Sequence, residues 1–271
     1  GASEQDVLVC DSVTRMGAGV RGRAVIAASH AGVFAVHLAL GEGVGALVAC
    51  DAGVGLERAG IAGLDHAEAL GVPCAAIHYR SARIGDGPDC AARGLISFAN
   101  ASARRLGIHP GMAAMDAARR MAASEPRAAD PGPPPAEARH VHPGTDGRRA
   151  IVLVDSASLV ESSDEGSVVV TASHGGLLGG RAETAIKVPV FAALYNDAGV
   201  GCDGAGVSRL PVLDTRGIAA ATVAADSARI GDARSSWETG VISRVNQTAY
   251  ALGAREGQSA REWAELMALM R

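Results

Sequence analysis

Short apolar runs alternate with helix-like stretches along the second half of the chain. IVLVDS, SVVVTASH, VPVFAALYND and IAAATVAADS are rich in β-branched residues and short enough to be strands. Between them the pattern predicts a helix over residues 175–187, stopped by Pro189, and a shorter one over 208–216. Residues 235–252 show apolar positions close to a 3.6-residue period and end at Gly253, which predicts a third helix. The order is β-β-α-β-α-β-α. Strand, helix, strand in series implies parallel neighbours with right-handed crossovers, hence an α/β fold. The connection within the first β pair fits a hairpin or a crossover, so the sheet edge at which Asp11 and Asp155 emerge is not determined.

The first half repeats this pattern. SARIGD stands at Ser81 and at Ser227, a shift of 146 (227 − 81) that also carries DAGVG at Asp51 onto DAGVG at Asp197. Downstream, Gly94, Ser97, Asn100 and Gly107 fall on Gly240, Ser243, Asn246 and Gly253. Upstream the shift is 144, taking Asp11 onto Asp155 and Ser29-His30 onto Ser173-His174. The expected architecture is two tandem homologous repeats, residues 1–121 and 150–271, forming layered, mostly parallel sheets with pseudo-twofold symmetry. Residues 122–149 contain Pro131 and three prolines from Pro133 to Pro135, and read as a semi-rigid linker in which His140 and His142 are solvated.

Composition narrows the function classes. A net charge of -4, no basic run and 3% aromatic residues argue against a nucleic-acid partner. Apolar stretches are interrupted well before the roughly 20 residues of a membrane helix. Cys10, Cys50, Cys74, Cys90 and Cys202 form no CxxC pair, which fits a reducing cytoplasm and no disulfide framework. The opening Gly1-Ala2-Ser3 shows no targeting signal.

In an open parallel sheet, ligands bind beyond the carboxyl ends of the strands, and the repeated motifs fall there. Ser173-His174-Gly175-Gly176 joins a strand to a predicted helix, a place where backbone amides receive an anion; a capped tight turn is the alternative. His174, matched by His30, is a candidate general acid or base. Asp197, matched by Asp51, is placed to orient that imidazole or to cap a turn, with Asn196 and Gly199 beside it. Arg229 and Arg83 offer a planar fork to a carboxylate, or pair internally with Asp232 and Asp86. Ser227, matched by Ser81, is a candidate nucleophile without a G-x-S-x-G elbow. Asp203 has no counterpart in the first copy. Ser243 and Asn246, expected on one helix face, suit close packing. Lys187, the one lysine, is expected at the amino end of its strand as a helix-terminal cation.

These residues point to an enzyme acting on a small anionic, carboxylate-bearing metabolite by His/Asp acid–base chemistry. A metal-independent hydrolase without a cofactor is the leading expectation, and the second half is expected to work. An isomerase or racemase using both halves and a non-catalytic binding protein are the alternatives. A homo-oligomer is compatible with either.

Overall fold

A computed structural model describes residues 7–270. They divide into two compact units. The first comprises the chain up to Val54, Arg58–Pro135 and Gly201–Gly204; the second comprises Gly55–Glu57, Ala136–Val200 and the chain from Ala205 onward. The two halves look similar, and each holds one mostly parallel sheet flanked by helices.

In the first unit, β1 (Val7–Cys10), β2 (Ala24–His30), β3 (Ala46–Cys50) and β4 (Cys74–Ile77) lie parallel in sequence order, and β5 (Ile96–Ala99) closes the edge antiparallel to β4. Five helices accompany them: α1 (Val33–Gly41), α2 (Gly63–Ala69), α3 (Gly87–Arg93), α4 (Ala101–Arg105) and α5 (Ala114–Ala122). The alternation of side chains along a strand sorts the core. Val25, Ala27, Leu47 and Ala49 face Val36, Leu40 and Leu64 of α1 and α2.

The second sheet is also in sequence order. It runs β6 (Arg139–His142), β7 (Ile151–Val154), β8 (Val168–His174), β9 (Ala192–Asn196), β10 (Ala219–Val223) and β11 (Ile242–Val245), with the two edge strands antiparallel. Its helices are α6 (Arg209–Thr215), α7 (Ala233–Thr239), α8 (Gln247–Ala251) and α9 (Ala260–Leu269). Leu153, Val170, Leu194 and Ala221 pack with Trp263 and Met267, while Val152, Val169, Ala193 and Ala220 pack with Ile186, Leu210 and Leu213. Both faces of β7 to β10 are therefore buried, which explains why these inner strands are mostly apolar.

The structure settles one open point and changes several expectations. The connection left undetermined is a crossover in both halves, since β1–β2 and β7–β8 are parallel, so Asp11 and Asp155 emerge at the same edge as the other motifs. The helix expected over residues 235–252 is instead α7, β11 and α8. Gly240 ends α7, where a Cβ would collide with the Ser236 carbonyl oxygen, and Asn246 caps α8 by accepting from the Ala249 N–H at 2.9 Å. Val241, Ile242 and Val245 are β-branched, and that preference outweighs an accidental helical spacing. Ser243 accordingly lies on a strand and Asn246 at a helix cap; they do not share a helix face.

The helix expected over residues 175–187 is a loop with one 3-10 turn, Ala182–Thr184. Four glycines in thirteen residues disfavour a helix, and side chains satisfy the backbone instead. Arg209 donates to the Gly176 and Ala185 carbonyls, and Tyr195 also donates to Ala185. With that helix absent, Lys187 is not its terminal cation; it donates to the Ser158 carbonyl at 2.8 Å. Finally, the end of the proline-rich segment forms β6, and His142 stacks on Trp237 with ring centroids 5.4 Å apart. No helix among the described residues is long and apolar enough to cross a membrane.

Candidate functional site

Parallel strands bring the repeated motifs to one edge of each sheet. In the second unit these are Asp155 after β7, Ser173-His174 at the end of β8, Asn196-Asp197 after β9, and the turn from Ala224 that leads into SARIGD. The first unit places Asp11, Ser29-His30, Cys50-Asp51 and His78 in the same order.

The two histidines share one geometry. Nδ1 of His30 accepts the Gly32 N–H at 3.0 Å, and Nδ1 of His174 accepts the Gly176 N–H at 3.1 Å. A backbone amide only donates, so a neutral ring in this position carries its proton on Nε2. Burial holds His30 neutral, lowering its pKa to about 4. This tautomer is the reverse of a catalytic triad, where Nδ1–H donates to a carboxylate and Nε2 takes up a proton. As placed, the ring is a hydrogen-bond donor through Nε2. His174 is buried at 7% exposure in the strand register opposite Asn196. In the first unit His30 is followed by α1, whose N-cap is Gly32; no helix follows His174.

Asp51 and Asp197 brace the loops around them. Oδ1 of Asp197 accepts from the N–H groups of Gly199 and Ala225 at 2.8 and 3.0 Å; Oδ1 of Asp51 accepts from Gly53 and Tyr79 at 3.0 Å each. Each aspartate thus ties the turn that follows its strand to the next strand's end. The turns are left-handed, with φ of +51°, +74° and +62° at Ala52, Gly53 and Val54, and +48°, +78° and +65° at Ala198, Gly199 and Val200. A valine in this region is strained, so the aspartate bonds hold the backbone against its preference.

The first unit adds chemistry that motif matching did not single out. Ser97, on β5, donates to Oδ2 of Asp51 at 2.8 Å. Burial raises the Asp51 pKa, and bonds from Ser97 and Gly53 and the nearby His78 oppose that rise. In the second unit Ser243 pairs with Thr222 at 2.9 Å. The signal for Ser97 was its match to Ser243, which the mistaken helix had directed into packing.

SARIGD is a structural clasp in both units. Ser227 donates to the Ala224 carbonyl and accepts from Val241, and Ser81 donates to His78 and accepts from Leu95. Asp232 and Asp86 cap α7 and α3. Arg229 pairs with Asp232 and Glu57 at 2.9 Å. Arg83 pairs with Asp203 at 2.9 Å and lies 3.6 Å from Asp86, and Asp203 also holds Arg93. Asp11 and Asp155, also unremarked as site residues, accept from Gly87 and Ala233 at 2.9 Å and fix the end of each clasp, where α3 and α7 begin.

The remaining site residues are likewise engaged. Asn196 donates to Ala228 and accepts from Ala198; Ser173 accepts from Ala157. Gly175 donates to the Asn196 carbonyl at 2.8 Å. A cleft of about 410 Å³ in the first unit lies at the opposite edge, near the amino ends of β3 and β4, and includes Pro73, Ser102, Arg105 and Arg127 in its lining. No set of three or more His, Cys, Asp or Glu among the described residues is arranged to hold a metal ion.

Comparison with known proteins found no matching family model, no matching curated protein and no matching solved structure.

Proposed function

We propose that the chain binds a small carboxylate-bearing metabolite at the carboxyl ends of its parallel strands, with the Nε2–H of His30 donating to a ligand oxygen. The observation that carries this reading is the Gly32 N–H on Nδ1 of a histidine kept neutral by burial. A neutral imidazole in a protected site is a donor that does not compete with solvent as a charged group does. His174 makes the same backbone contact in the second half. Hydrolysis with His174 as base needs that contact broken, whether Nδ1 itself takes up the proton or the ring proton first moves there from Nε2.

A second reading is proton transfer next to a carbonyl, as in an isomerase or racemase. It is favoured by Asp51, a buried carboxyl of raised pKa that shares a proton donor, Ser97, at the same edge. A neutral histidine that polarises a carbonyl, paired with a carboxylate base, is a known solution to that chemistry.

The matched bonds of Asp51 and Asp197, of Ser81 and Ser227, and of His30 and His174 further support descent of residues 1–121 and 150–271 from one duplicated unit, with 122–149 between them.

The test is a thermal-shift screen of 2-hydroxy and 2-oxo carboxylates on the full chain, followed by titration of any hit against His30→Gln and His174→Gln. Loss of one hydrogen bond to a charged ligand predicts binding weaker by about ten- to a hundredfold. Unchanged affinity in His30→Gln sinks the assignment. Turnover of a hit, lost in Asp51→Asn, selects the enzymatic reading.

A further inference from the structure

We propose that His37 and His66 form a chelating site for a borderline divalent ion such as Zn²⁺, Ni²⁺ or Cu²⁺. Nδ1 of His37, on α1, lies 3.1 Å from Nε2 of His66, on α2, with ring centroids 5.2 Å apart. An ion holding two imidazoles at about 2.0–2.1 Å separates their nitrogens by about 2.9 Å at a right angle and about 3.4 Å at the tetrahedral angle. The observed spacing falls between those limits, so turning the rings off the line that joins the two nitrogens points both lone pairs at one ion.

The sequence of α1 strengthens the case. His37 is the one polar side chain in VFAVHLALG, and it is 4% exposed. Core packing alone prefers an aliphatic residue there, because a buried polar group costs free energy unless it is partnered. Its partner is a second imidazole, the side chain that borderline metals favour. His66 is half-buried, which leaves the ion an approach.

Binding exchanges two ion-bound waters for two nitrogens. The proton now shared between the rings moves to the outer nitrogen of its own ring, so none is released. No third His, Cys, Asp or Glu completes a cluster among the described residues, and the other positions on the ion are filled by water. Such a site is exchangeable, and it clamps α1 to α2.

The experiment is calorimetric titration of the full chain with zinc chloride, and separately with copper chloride, in a His140→Gln/His142→Gln background that removes the paired histidines of β6. One saturable ion per chain is expected, weakened at least about tenfold by a further His37→Gln or His66→Gln. Absence of saturable binding, or binding unaffected by either substitution, overturns the site. Should those variants fail to fold, paramagnetic resonance of the copper-loaded background protein counts the coordinating nitrogens. Two support the site; none or one overturns it.

Discussion

Nδ1 of His30 accepts the backbone N–H of Gly32, two residues further along the chain, at 3.0 Å. This contact decides what the histidine can do, because it assigns the ring proton to Nε2. It also makes Gly32 a requirement. A Cβ there would lie 2.6 Å from Nδ1 and 3.1 Å from the Ala59 carbonyl oxygen. Gly32→Ala is therefore expected to displace the imidazole and destabilise the first unit by about 1–3 kcal/mol. Nitrogen-15 spectra of the histidine ring should show Nδ1 losing its acceptor shift; an unchanged ring spectrum contradicts the geometry.

The same histidine makes stability depend on pH. Its pKa is about 4 in the folded chain against an ordinary value near 6.5, so the unfolded chain takes up a proton first. The contribution is complete above about pH 6.5, declines as pH falls from there towards 4, and is then constant. Urea unfolding at pH 7 and pH 4.5 should show wild type losing about 1–3 kcal/mol more than His30→Gln. Equal losses would remove His30 as the cause.

Asp197→Ala and Asp51→Ala should each be costly. Each substitution orphans two backbone N–H groups and releases a left-handed turn, and Asp51 also leaves Ser97 without its acceptor. A loss of about 3 kcal/mol or more is expected for each, read from urea midpoints. Asp51→Asn keeps an acceptor oxygen and should cost distinctly less.

Val200 has a φ of +65° and is only partly buried. Val200→Gly removes the steric penalty of that conformation, offset by the greater freedom of an unfolded glycine. A net gain of up to about 1 kcal/mol is expected by chemical denaturation. A clear loss would show that packing of the valine side chain outweighs the strain.

The α/β alternation and the strand-end position of the motifs were legible in the sequence, because apolar runs and repeated polar clusters report burial and loops directly. Two elements were not. The strand Ile242–Val245 is four residues long, and its spacing imitates a helical period. The loop after His174 resembles the start of α1, yet its backbone partners come from Arg209 and Tyr195, distant residues that no local pattern reveals. The roles of Asp51, Ser227 and Arg229 were harder still. Carboxylate, hydroxyl and guanidinium at a strand end suit catalysis and loop bracing equally, and only the hydrogen-bond partners separate the two.

Sequence order is preserved across both sheets, β1 to β5 and β6 to β11, with every new strand added at the outer edge of the one before. No strand has to be inserted between two that are already paired. Growth of each sheet can therefore follow the chain from its amino end, closing one short loop at a time, so that a nascent segment has a finished template to dock on.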